Sequence, residues 1–258
     1  MRKLALVRRP GPRLADGIVT HIDRSPVDLD LALRQWEGYV EALHDHGWQT
    51  VEVDPADECP DAVFVEDTVV VYDDLAVVAR PGADERKPET PAAEEALRRL
   101  GYRVARIEAP ETLDGGDVLK RDGTVWVGLG GRTTPGAVDQ LRTLLAPLGA
   151  HVVGVPLAKV LHLKSAVTAL PDGTVVGWDP VVDDASVWES YLAVPEEAGA
   201  HVVLLDEATV LMSTSAPRTR ALFEERGLRV VAVDMSEYEK LEGCVTCLSV
   251  RLRGAPTA

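Results

Sequence analysis

Cysteine is scarce in this 258-residue chain, which has only Cys59, Cys244 and Cys247. Three are too few for a disulfide framework. Cys244 and Cys247 are spaced C-x-x-C, but no second pair completes a zinc site. Long apolar runs are also missing, and none approaches the roughly 18 to 20 residues that a membrane span needs. The start, MRKLALVRRP, is basic but too briefly apolar for a signal-peptide core, so the expected location is the cytoplasm. Positive charge is in deficit, with 27 Lys and Arg against 42 Asp and Glu, a net charge of -15. Such a chain repels phosphate backbones, which argues against nucleic acid as partner, as the missing apolar run argues against a membrane, and suits a cationic small molecule. No Pro/Gly/Ser linker or low-complexity tract divides the sequence, so one domain over 1–258 is expected.

What is present is a repeat. Apolar residues at 46% and charged residues at 27% exclude disorder of the whole chain. Strand-like segments recur as WQTVEVDP (48–55), YRVARIEAP (102–110), AHVVGVP (150–156), SYLAVP (190–195) and LRVVAVDM (228–235). Four follow a glycine, at Gly47, Gly101, Gly149 and Gly227, as left-handed helix ends require. Ahead of those glycines lie LALRQWEGYVEALHDH, PAAEEALRRL, PGAVDQLRTLLAPL and PRTRALFEER, with Leu and Ala at helical spacing. After each first strand comes a pair that reads as a hairpin: AVFVED/TVVVY, DVLKRDG/TVWVG, AVTALPDG/TVVGW and HVVLLDEA/TVLMS. CLSVRL, the last strand, lacks a partner unless KLALVRR at the N-terminus supplies it. Five units of roughly 40 to 55 residues suggest an α/β fold with radial, propeller-like repetition, closed by the two terminal strands. An ordinary α/β sandwich with mildly similar segments is the alternative. Residues 9–29 have turn residues and little periodicity and read as a functional loop or lid.

In a ring, the loops after the first strands converge on one end of the axis. They carry Asp61, Glu66 and Asp67 in the first unit, Asp114 and Asp117 in the second, His162 in the third, and Cys244 and Cys247 in the fifth. Cysteine, histidine and a carboxylate are the minimal set for nucleophilic catalysis: the thiolate attacks, the imidazole moves protons and the carboxylate orients it. The surplus of acid suits a cation, and a guanidinium presents planar N–H donors that pair with carboxylates. The combination points to a cysteine attacking a guanidinium carbon. Plainer readings stay open for each residue alone: buried filler for Cys59 and Cys244, a core histidine for His162, a solvated turn for Glu66–Asp67 and a plain turn for the DGG of LDGGDVL.

FVEDT, RPGADERKPET, LDGGDVL, VGLGGRT, VLHLKSA and SEYEKLEGCVTCLSVRL together resemble the dimethylarginine dimethylaminohydrolase family of the guanidino-group-modifying (pentein) superfamily, nearly end to end. The resemblance implies a five-fold α/β propeller and hydrolysis of dimethylarginine and monomethylarginine to citrulline and the methylated amine. It implies Cys247 as nucleophile, His162 as general acid/base and Asp114 as its acidic partner, with a shorter reach than the Glu some members carry. It further implies Glu66 and Asp67 as the guanidinium-binding pair, Arg86 and Arg132 on the substrate carboxylate, and Asp61 near the substrate amine. Ile18 would meet that amine through its backbone carbonyl, with Leu241 as second candidate. The implied chemistry uses no metal or organic cofactor, and the resemblance leans toward a homodimer. Three rivals remain: an arginine deiminase or another guanidino hydrolase on the same scaffold, a ring that only binds, and a metal enzyme built from His162, Asp61, Asp114 and Asp117.

Overall fold

Five open sheets of three strands recur with one topology in the computed structural model, which describes residues 3–253. The first contains β1 (Lys3–Val7), β2 (Gln49–Glu52) and the last strand, β15 (Ser249–Arg253). The second contains β3 (Val69–Tyr72), β4 (Leu75–Val78) and β5 (Arg103–Arg106), and the third β6 (Val118–Arg121), β7 (Thr124–Leu129) and β8 (His151–Pro156). The fourth contains β9 (Val167–Ala169), β10 (Val175–Gly177) and β11 (Tyr191–Ala193), and the fifth β12 (Val203–Leu204), β13 (Thr209–Ser213) and β14 (Arg229–Val233). In each, the middle strand runs antiparallel to one neighbour and parallel to the other. This is the expected five-fold α/β repetition. The terminal strands do pair, with Leu4 opposite Leu252 in antiparallel register.

The parallel neighbours need a crossover, and helices supply it. α1 (Leu29–Asp45) links β1 to β2, α2 (Thr90–Arg99) links β4 to β5, and α3 (Pro135–Leu145) links β7 to β8. Leu163–Ala166 forms a one-turn helix, α4; α5 (Pro217–Glu225) links β13 to β14, and α6 (Ser236–Glu239) follows β14. The fourth sheet crosses over on two 3-10 turns instead, which explains why its first strand lacks a preceding glycine. α1 shows how the pattern works. Asp28 caps it by accepting the N–H of Leu31 at 2.9 Å. Ala32, Trp36, Tyr39 and Leu43 share one face and are buried, and each large side chain there contributes about 2 kcal/mol. Gly47, beyond its end, takes φ +77°. No helix among the described residues is long and apolar enough to cross a membrane.

Each first strand joins the hairpin that precedes it in the chain. One detail differs from the sequence reading. AVFVED/TVVVY is not a hairpin: Val65–Thr68 is a 3-10 turn, and TVVVY pairs instead with Leu75–Val78 across a turn at Asp73–Asp74. The polar break Glu66–Asp67–Thr68 does mark a turn, but a 3-10 turn that buries these side chains, and the hairpin turn lies at the next acidic pair.

Candidate functional site

Four of the five inner strands begin just after a turn that carries reactive side chains. Asp67 precedes β3, Asp114 and Asp117 precede β6, His162 precedes β9 through α4, and Cys247 precedes β15. The turns brace one another. Thr68 donates its hydroxyl to the Val65 carbonyl at 2.7 Å, and the Glu66 N–H donates to the Cys247 carbonyl at 3.2 Å. Asp117 Oδ1 accepts the Leu163 N–H at 3.0 Å and its Oδ2 the Thr133 hydroxyl at 2.6 Å. Thr133 in turn accepts the Asp114 N–H at 3.2 Å. Asp117 thus ties the turn of His162 to the turn of Asp114, and burial pushes its carboxyl up to about 6.

Ile18, Asp61, Phe64, Asp67, Arg86, Arg132, Leu161, His162, Leu241, Glu242, Gly243 and Cys247 line a cavity of about 20 Å³. That is room for about one water. Asp114 stands behind His162, with Oδ2 at 3.0 Å from Nε2; the shorter carboxylate therefore does reach. His162 Nδ1 lies 3.8 Å from Asp67 Oδ1. Close approach explains the glycines of LDGGDVL: a Cβ on Gly115 would sit 2.0 Å from the Glu66 carbonyl oxygen, and one on Gly116 2.6 Å from both His162 Nδ1 and Asp67 Oδ1; that Oδ1 accepts the Gly116 N–H at 2.8 Å. Asp61 accepts the Ile18 N–H on both oxygens, at 3.2 and 3.1 Å, and so anchors the 9–29 loop beside the cavity.

The charges are arranged around the histidine. Burial alone would lower the His162 pKa, but Asp67, Asp114 and Asp117 outweigh it and raise it to about 9. Asp67 is held down at about 2: its own burial opposes ionisation, and His162 and Arg86 overcome that. The Cys247 thiol is pushed up by its hydrogen bond with Cys244, by burial, and by the carboxylates of Glu66 and Asp67. Cys247 Sγ and Cys244 Sγ are 3.3 Å apart.

Three expected residues stand differently from the others. Glu66 does not line the cavity. Adjacent residues of a tight turn face different ways, and Glu66 Oε1 meets Lys164 Nζ at 2.6 Å and Arg251 Nη2 at 2.9 Å, while Oε2 is buried without a hydrogen-bond partner. Arg86 lines the cavity with most of its donors engaged: Nε and Nη2 on Glu89, Nη2 also on the carbonyls of Asp61 and Phe64, and Nη1 on Asp67. Arg132 is less committed, with Nη1 at 3.5 Å from Asp114 Oδ2. The sequence reading missed Phe64, Leu161, Glu242 and Gly243; LEGC offered only a Gly beside an acid as a cue. Among the described residues, no group of three or more His, Cys, Asp or Glu is arranged to hold a metal ion.

No protein-family model matches the chain. Individual relatives do. N(G),N(G)-dimethylarginine dimethylaminohydrolase of Streptomyces coelicolor is 61% identical over 97% of this chain and 97% of that one. The Pseudomonas aeruginosa enzyme of the same name is 34% identical over 97% of this chain and 100% of its own. A solved structure of the Pseudomonas aeruginosa protein, a cysteine-to-serine mutant complexed with citrulline, superposes with a TM-score of 0.91 at 33% identity, covering 98% of this chain and 100% of that one. The N-terminal domain of ArgZ, an arginine dihydrolase, shares the fold at a TM-score of 0.87 and 20% identity, over 99% of this chain and 100% of that one. With end-to-end identity at this level and the same fold, the chain belongs to the dimethylarginine dimethylaminohydrolase family.

Proposed function

We propose that this protein hydrolyses Nω,Nω-dimethyl-L-arginine, and the monomethyl form, to L-citrulline and the methylated amine, with Cys247 as nucleophile. The observation that carries the reading is the convergence of Asp67, the His162–Asp114 pair and Cys247 on one buried cavity. The substrate guanidinium lies against Asp67. Its positive charge offsets the carboxylates that hold the Cys247 proton on, and so favours the thiolate. The thiolate adds to the guanidinium carbon. The bond to the methylated nitrogen then breaks as protonated His162, charged at neutral pH because of its three carboxylate neighbours, gives that nitrogen a proton. An S-alkylthiouronium remains. His162, now neutral, takes a proton from water; the resulting hydroxide adds to the same carbon, the carbon–sulfur bond breaks, and citrulline leaves.

At the other end of the substrate, Arg132 holds the carboxylate with Arg86 beside it, and Asp61 and the Ile18 backbone receive the amine. Glu66 acts from behind Cys247 through its charge, braced by Lys164 and Arg251, and Asp67 makes the direct guanidinium contact. The whole chain acts as one catalytic domain in the cytoplasm.

The test is to incubate the protein, with a chelator present, with dimethylarginine or arginine in parallel and to measure citrulline. Citrulline with dimethylamine from the methylated substrate alone is expected. Turnover of arginine alone would replace this reading with a deiminase. Loss of turnover on chelation, restored by added metal, would overturn the cysteine scheme.

A further inference from the structure

Cys244 has no part in the reaction above, yet its sulfur lies 3.3 Å from that of Cys247. The backbone holds the two together. The Cys247 N–H donates to the Cys244 carbonyl at 3.1 Å, which closes a four-residue turn. A turn of this kind brings its end Cα atoms within about 7 Å, and disulfides span Cα separations of about 4.4 to 6.8 Å. The sulfurs therefore need to approach by only a little more than an ångström to reach bonding distance, about 2.05 Å. Cys244 is buried, whereas Cys247 lines the cavity that the substrate must enter. Any oxidant smaller than the substrate has the same way in.

We propose that Cys244 and Cys247 form a modification site: a reversible disulfide, made by hydrogen peroxide, that withdraws the nucleophile from catalysis. One sulfur, as thiolate, attacks a peroxide oxygen. The O–O bond breaks, an S–O bond forms, and the leaving oxygen departs as water after taking a proton. The resulting sulfenic acid is then attacked by the neighbouring sulfur; the S–S bond forms, the S–O bond breaks, and a second water leaves. Two electrons pass from the two thiols to one peroxide. The hydrogen bond between the two sulfurs lowers one thiol as it raises the other, so the pair shares its first proton loss. The disulfide also shields Cys247 from further oxidation to sulfinic acid, which is irreversible.

The loss of activity rests on Cys247 being the nucleophile, but the bond itself does not. The test treats the reduced full-length protein with hydrogen peroxide and follows citrulline formation and intact mass together. The expected wild-type product is lighter by two hydrogens, carries a Cys244–Cys247 cross-link in its peptide map, and loses activity on the order of 10-fold or more, recovered by dithiothreitol. Cys244→Ala is expected to gain oxygen atoms instead and to stay inactive after dithiothreitol. Cys59→Ala removes the third thiol and is expected to behave as wild type in both readouts. A peroxide-treated wild type whose Cys247 carries oxygen with no hydrogens lost overturns the proposal, and so does a cross-link that involves Cys59. The mass readout decides the matter even if Cys244→Ala fails to fold, or if the protein makes no citrulline.

Discussion

The Glu242 carboxylate accepts the backbone N–H of His21 at 2.7 Å, across 221 residues of sequence. It also accepts the N–H of Thr20 at 2.7 Å. One side chain, five positions before Cys247, thus ties the 9–29 loop to the turn that leads to Cys247. A hydrogen bond to a charged group is worth about 1.5 to 3 kcal/mol. Glu242→Ala should therefore speed hydrogen exchange at the Thr20 and His21 amides by about 10-fold or more. Unchanged exchange at those two amides would mean that something other than Glu242 holds the loop.

Gly116 lies against both His162 and Asp67. Gly116→Ala drives a Cβ to 2.6 Å from His162 Nδ1 and Asp67 Oδ1, so the ring or the carboxylate must move. Overpacking of this kind costs about 1 to 3 kcal/mol of stability, and a misplacement of about 1 Å costs about 100-fold in rate. The kcat for citrulline formation should fall by about that factor in a protein that still melts cooperatively. Near-native turnover would show that the close approach has no catalytic consequence.

The elevated pKa of His162 has a signed consequence for stability. Its folded value, about 9, lies above its ordinary value of 6.5. Its contribution is therefore complete below about pH 6.5 and is lost as the pH rises through about 9. The urea midpoint of wild type relative to His162→Gln should narrow across that window. The imidazole resonances should titrate near pH 9 and shift to lower pH in Asp114→Asn. Titration near pH 6.5 in the wild type would contradict the charge arrangement described.

Arg132 offers a way to separate binding from chemistry. If it holds the substrate carboxylate equally in the ground and transition states, Arg132→Ala raises KM by about 10- to 100-fold and changes kcat less. Arg132→Lys should recover only part of the loss, because a point charge replaces a fork. A fall in kcat at unchanged KM would instead assign Arg132 to the Asp114–His162 pair that it approaches.

Much of this architecture is local and could be read along the chain. The α1 stripe of Ala32, Trp36, Tyr39 and Leu43, the left-handed Gly47, and the Asp122–Gly123 hairpin turn each depend on neighbours within a few residues. The recurrence of these local signals gave the five-fold repeat and the pairing of the terminal strands. Where two acidic turns follow one another, at Glu66–Asp67 and at Asp73–Asp74, the hairpin was assigned to the first and Leu75–Val78 was overlooked.

The sequence by itself determined which chemical groups recur at equivalent turns: acids, a histidine and a C-x-x-C pair. Only the tertiary structure decided which of them meet. Glu66 and Asp67 are neighbours with the same charge, and no pattern in the chain separates them. Folding turns Asp67 toward His162 and Arg86, and commits Glu66 to Lys164 and to Arg251, 185 residues away. Buried charges must find partners, and those partners arrive from other sheets of the ring. For the same reason Arg86, legible as a cation for the substrate, is largely engaged by Glu89, Asp67 and backbone carbonyls. Spacing along a chain identifies candidates, and long-range electrostatics in a desolvated interior assigns their directions.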